Sequence, residues 1–188
     1  MNQPEENSAL LARAAAGDQQ AWRAMVERYS PRVFSFLSSH VRNPDLVEEI
    51  VQSVFCTVAQ KLSSYVEQGH FEAWLFRIAL NRLRDEMRRR KRHARPVDAE
   101  VLGDLAPPAR IAEGVTSEEV LALRDAMDQL PEPDRLVIDL RHVGGLGFQQ
   151  MAEMLHEPLG TLLARHHRAL RKLKEMIRRR LGDEDESQ

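Results

Sequence analysis

Cysteine is nearly absent from the 188 residues: Cys56 is the only one. That excludes an internal disulfide and a zinc site built on paired cysteines, and a lone thiol fits a reducing compartment. No apolar run approaches the roughly 20 residues of a membrane-spanning helix. The opening MNQPEENS lacks a positive start leading into an apolar core, so neither a signal peptide nor membrane insertion is read, and a cytoplasmic protein is expected. Strand alternation and hairpin turn signals are missing as well. Residues 144–147, Gly-Gly-Leu-Gly, lack the Lys-Ser/Thr of a phosphate loop and follow no strand. The adjacent His166 and His167 point in different directions on a helix. No catalytic group, metal or cofactor is expected, and the chain reads as a non-enzyme.

What is present is charge, unevenly placed. The composition, 30% charged and 43% hydrophobic, supports an ordinary buried core, and the formal net charge of −2 hides a segregation. Acids crowd the middle (Asp98, Glu100, Asp104, Glu113, Glu118) and the tail, leaving two helices basic. The first is residues 71–92, FEAWLFRIALNRLRDEMRRRKR. Trp74, Leu75, Ile78, Ala79, Leu83 and Met87 recur every three or four residues and form a stripe that can pack on a core. The other face carries Arg77, Arg82, Arg84 and the run 88–92 against only Glu72, Asp85 and Glu86. Guanidinium groups in that density suit phosphate oxygens met bidentately, so a polyanionic partner is expected.

In chain order, Ser8 is expected to cap a first helix and Gly17 to stop it, with Asp18 capping the next. Pro31 should kink or split that second helix. Asn43-Pro44 starts a third, with Leu46, Val47, Ile50, Val51, Val54, Phe55 and Val58 inward and Asp45, Glu48, Glu49 and Gln52 outward. Residues 61–70 read as a loop containing Tyr65. Residues 94–116, rich in Pro, Gly, Ala and acids, read as a flexible linker. Beyond it Thr116 and Glu119 form a capping-box signature, and Pro131 and Pro133-Asp134 divide the next two helices. A short helix 148–155, a turn 156–160 and a long basic helix from Thr161 to about Arg180 make a helix-turn-helix pattern. The fold class is all-α. It comprises a helical bundle over 1–93, a linker over 94–116, a helix-turn-helix domain over 117–182 and an acidic tail over 183–188.

Two segments of the first domain, DLVEEIVQSVF at 45–55 and FEAWLFRIALN at 71–81, resemble region two of the bacterial extracytoplasmic-function sigma factors. In the second domain Leu130-Pro131, Asp134-Arg135, Leu140-Arg141, Met151-Ala152 and the stretch 160–169 resemble region four, in the family's order. The resemblance implies core RNA polymerase, promoter DNA and an anti-sigma factor as partners. It implies that Asp45, Glu48, Glu49 and Gln52 dock on the polymerase. It places Arg77, Asn81, Arg84, Arg88 and Arg89 on the minus-ten element, with Tyr65, in a loop over 64–70, as the residue that stacks a flipped base. Trp74 is read as core. It places Thr161, Arg165 and Arg168 on the bases and phosphates of the minus-thirty-five element, with Arg171 and Lys172 on its flank.

Several residues depart from the family pattern. Ser53 stands where an acid is usual, which makes Ser53 and Thr57 candidate regulatory positions, since phosphorylation would add about −1.5 to −2 charges. Leu163 and Ala164 replace a usual Lys and Ser, and His166 occupies an apolar place where leucine is usual. Leu163, Leu170 and Ile177 form a second apolar stripe on a flank expected to be wet. Two other classes stay open at this point: a stand-alone helix-turn-helix regulator, and a degenerate sigma-like protein that binds polymerase or an anti-sigma factor without reading promoters.

Overall fold

Short polar side chains start two helices of the N-terminal unit, as their positions next to apolar stripes require. The computed structural model describes residues 3–65, 69–93 and 117–185. It divides into two units, each described by itself. The expected linker 94–116 and residues 186–188 of the acidic tail lie outside the described residues. Helix α1 runs Gln3–Ala15, so Ser8 lies inside it. Pro4 stands in its first turn, where a missing N–H breaks no intrahelical bond. Asp18 Oδ1 accepts from the N–H groups of Gln20 (2.9 Å) and Ala21 (3.1 Å) and opens α2, Gln19–Ser38. The Ala21 N–H and then Arg13 hold this carboxyl below its ordinary pKa.

Helix α2 continues through Pro31. The proline is exposed, while Met25, Tyr29, Val33, Phe36 and Leu37 are buried on both sides of it. One stripe packing as a unit outweighs the single hydrogen bond that a proline removes on the wet face. Asn43 Oδ1 caps α3, Pro44–Lys61, by accepting from Leu46 N–H at 3.1 Å. A 3₁₀ turn, Leu62–Ser64, leads toward α4, Phe71–His93. Phe36 meets Phe76 edge to face with centroids 5.5 Å apart. Tyr29 is fully buried, and its hydroxyl donates between Asn7 Oδ1 (2.8 Å) and Glu72 Oε1 (3.0 Å), tying α1 and α4 to α2. Burial, followed by the Glu72 charge, pushes this phenol up to about 12.

The C-terminal unit contains α5 (Ser117–Asp128), α6 (Glu132–His142), α7 (Phe148–Leu155) and α8 (Leu159–Asp185). Ala126, Leu130, Ile138, Ala169 and Leu173 form a buried cluster, with Met127, Met176 and Ile177 packed against it. Of the second stripe expected on a wet flank, Ile177 packs against the core, Leu163 is half-buried and Leu170 is exposed. A Cβ on Gly144 would lie 2.6 Å from the Leu140 carbonyl oxygen, so only glycine ends α6 this tightly. Helix α8 starts before Thr161, because the Pro158 carbonyl already accepts from Thr161 N–H (3.0 Å) and Leu162 N–H (3.3 Å). It also extends beyond Arg180, through Asp185.

Candidate nucleic-acid interface

Helix α4 separates its cations into two lines. Arg77, Asn81, Arg84 and Arg88 recur at i, i+4, i+7 and i+11 and all are exposed, opposite the buried Phe76, Ala79, Leu80 and Leu83. This line is the continuous basic face of the helix, and Arg88 pairs with Asp85 at its edge. Arg82, Glu86 and Arg89 form a second line turned toward α3. Arg82 Nη2 donates to Thr57 Oγ1 at 2.7 Å, and Thr57 Oγ1 donates to the Ser53 carbonyl at 2.8 Å. Glu86 accepts from Arg89 at 2.8 and 3.0 Å and from Arg90 at 3.0 Å. The Arg89 and Arg90 guanidiniums hold the Glu86 carboxyl below its ordinary pKa.

Between α3 and α4 these side chains line an open cleft of about 750 Å³, with Glu49, Ser53, Arg82, Glu86, Arg89 and Arg92 on its walls. Arg88 and Arg89, expected together on one DNA face, both reach this cleft, Arg89 from the wall where Glu86 holds it and Arg88 from its rim beside Asp85. Asp45, Glu49 and Gln52 recur at i, i+4 and i+7 on the exposed side of α3, with Glu48 beside them. Ser53 is half-buried and turned from that line toward α4. Thr57 is 7% exposed and its hydroxyl is already bonded on both sides, so α3 and α4 would have to part for a phosphoryl group to fit on it.

At the start of α4 the rings of Tyr65, Phe71 and Trp74 form one cluster. Tyr65 lies 4.7 Å from Trp74 and 5.8 Å from Phe71, centroid to centroid. Phe71 in turn lies 5.0 Å from Tyr29. Tyr65 thus roofs the core with one face. Residues 66–68 of the expected base-capturing loop lie outside the described residues.

On α8, Thr161, Ala164, Arg168 and Arg171 are exposed opposite the buried Leu162, Ala169 and Leu173. Arg165 does not join them. Its Nη1 and Nη2 lie 3.0 and 2.8 Å from Glu157 Oε1 and Oε2, across the turn before the helix. Lys172 Nζ reaches back to Asp134 Oδ2 on α6 at 3.5 Å. The turn itself carries His156 at φ 56°, a left-handed residue that ends α7. Glu157 was not singled out from the sequence, and neither Thr57 nor Asp134 was read there as the partner of a basic side chain. Each acts on a residue of another helix, which no local spacing announces.

Two helical units, each presenting an arginine-bearing outward line over a buried stripe, the second through a helix-turn-helix, define a two-module nucleic-acid-binding protein. Residues 25–93 match the sigma-70 region 2 family and residues 121–173 the sigma-70 region 4 family. The chain is 32% identical over 169 residues to the RNA polymerase sigma factor CarQ of Myxococcus xanthus, covering 89% of this chain and 95% of the relative. It is 30% identical over 179 residues to the ECF RNA polymerase sigma-E factor of Escherichia coli K12, covering 90% and 93%. In fold it is similar to the sigma factor RpoE of Bartonella quintana, solved in complex with the anti-sigma factor NepR, with a TM-score of 0.69, 23% identity and coverage of 83% and 96%. The chain belongs to the extracytoplasmic-function sigma factors of the sigma-70 family. It is a non-enzymatic subunit that binds core RNA polymerase and promoter DNA and directs transcription initiation.

Proposed function

We propose that three exposed lines divide the work of this sigma factor. Asp45, Glu48, Glu49 and Gln52 on α3 dock on the core polymerase. Arg77, Asn81, Arg84 and Arg88 on α4 take the minus-ten element. Thr161, Arg168 and Arg171 on α8 take the minus-thirty-five element, and Ala164 between them offers a methyl group of the kind that contacts thymine. Lys172 follows the flanking backbone once it leaves Asp134. Arg165 shapes the turn through Glu157 in place of reading a base directly. Arg89 acts from the cleft, at the boundary of docking and DNA faces, and Tyr65 offers the ring face turned away from Trp74 to an unstacked base. The observation that carries this reading is the unbroken exposed line on α4, four polar residues set over a buried stripe.

The protein works in the cytoplasm, where polymerase and promoter are, and an anti-sigma factor is its expected inhibitor, as NepR is a partner of the Bartonella relative. Of the two candidate regulatory hydroxyls, Ser53 is the accessible one. A phosphate there faces Arg82 and Arg89 across the cleft, so it would draw the α4 arginines inward and leave the outward acidic line unchanged. Run-off transcription from a randomised promoter library with core polymerase tests the assignment. Selection of both elements is expected, and selection of neither would remove it.

A further inference from the structure

Behind the outward face of α8, His166 fills a place in the buried stripe between Leu162 and Ala169 and is 8% exposed. His142, in the last turn of α6, reaches it, and the two Nε2 atoms lie 3.1 Å apart. The rings are inclined by 18° with centroids 5.3 Å apart, which is close to the nitrogen gap plus two ring radii. Each Nε2 therefore points straight at the other. This geometry fits one hydrogen between two nitrogens and does not fit a shared metal ion. A zinc held at about 2.0–2.1 Å by both nitrogens would sit off the line joining them, whereas here each ring nitrogen is aimed along that line.

Aromatic and basic side chains meet His166, and Asp139 is buried on α6 one turn before His142. From α7 the Phe148 ring meets His166 edge to face at 5.1 Å. Arg141 on α6 lies over Phe148 at 5.3 Å and donates to the Leu146 carbonyl. His167 on α8 lies 6.1 Å away. The groups that act on His166, namely His142, His167 and Arg141, are all cations when protonated.

We propose that His142 and His166 form a proton-operated latch that positions α8 against α6, closed while at least one facing nitrogen is bare and open when both are protonated. In the neutral pair one Nε2–H donates to the lone pair of the other ring. A first added proton goes to Nδ1 of the donor ring and leaves that contact intact. A second sets N–H against N–H and two positive rings edge to edge, so the contact is lost. Burial first, then His142, His167 and Arg141, holds His166 below its ordinary value of 6.5. The folded protein therefore binds fewer protons than the unfolded chain as pH falls through 6.5. Stability of the C-terminal unit falls there, and goes on falling until the lower folded value is passed. The consequence for promoter reading rests on the assignment of α8 proposed above; the latch does not.

Hydrogen exchange of the full chain from pH 7.5 to 5, corrected for intrinsic rates, tests it. Protection across α6 and α8 should fall by up to about tenfold per pH unit below about 6.5, the limit for uptake of one proton, while α2 holds. His166→Leu should abolish this pH dependence. His142→Gln should also blunt it, because an amide can donate to a bare nitrogen and accept from a protonated one. The latch is overturned if both variants keep the wild-type pH dependence. Affinity for a minus-thirty-five duplex over the same range separates the two claims. A loss with acid that His142→Gln prevents extends the latch to promoter reading. Constant affinity beside falling protection would confine the latch to the stability of the C-terminal unit.

Discussion

Arg165 separates a residue that reads DNA from one that shapes the helix that reads it. Its two-point contact with Glu157, at 3.0 and 2.8 Å, closes the turn between α7 and α8, with side chains 17% and 33% exposed. Exposed ion pairs contribute about 0.2–1 kcal/mol, and removing one partner of a buried pair costs about 3–5 kcal/mol. A half-buried, doubly bonded pair falls between, at about 1–2 kcal/mol of coupling in a cycle of Arg165→Met, Glu157→Gln and both. For a unit of this size, Arg165→Met should lower its melting temperature by roughly 5–15 °C. Trp22 and Trp74 are the only tryptophans and both lie in the N-terminal unit. Tryptophan fluorescence therefore follows that unit, and a circular-dichroism transition without a fluorescence counterpart belongs to the other. On DNA, Arg165→Met should weaken every minus-thirty-five variant by one common factor. A variant that melts like the wild type but changes preference at a single base pair would refute the assignment.

His156 adopts φ 56° without being glycine. His156→Gly should stabilise the C-terminal unit by roughly 1 kcal/mol, and a lower urea midpoint would contradict this. Tyr29 should remain protonated until about pH 12. Because the folded pKa is raised, its contribution is complete below the ordinary value of 10.0 and is lost between there and about 12. Tyr29→Phe should flatten that decline in urea midpoint, and an unchanged decline would exclude Tyr29 as its source. Arg84→Ala should reduce the salt slope of promoter binding by about 1, and Arg89→Ala by less, since Glu86 holds it on the cleft side. Equal slopes would place both on one face. Ser53→Glu should leave polymerase affinity unchanged and weaken DNA binding; tighter polymerase binding with DNA binding unaltered would show that the position belongs to the docking line.

Where the chain marks an element with local chemistry, the sequence was legible. Asn43-Pro44 opens α3, and α7 occupies 148–155 as read. The two sigma regions followed from segments whose order and spacing survive at about 30% identity. Local signals misled where a stronger local alternative lay nearby. Ser8 and Thr161 are good caps in isolation, yet α1 reaches back to Gln3 and α8 to Leu159. Pro31 does not split α2, whose buried stripe packs on both sides of it, a tertiary effect. The site residues show the same division. The outward line on α4 is a matter of helical angle, and that angle also separates Arg89 from Arg88. The Arg165–Glu157, Arg82–Thr57 and His142–His166 contacts depend on how turns and neighbouring helices bring distant residues together, and no periodicity encodes that.

Cys56 lies one helical repeat beyond Gln52, on the same exposed line of α3 as Asp45 and Glu49. The molecule thus carries its sole thiol on the ridge assigned to polymerase. A maleimide dye attached there needs no engineered site and no removal of competing groups. Its anisotropy would report docking in real time, and bulky adducts of graded size would map how closely the enzyme covers that ridge.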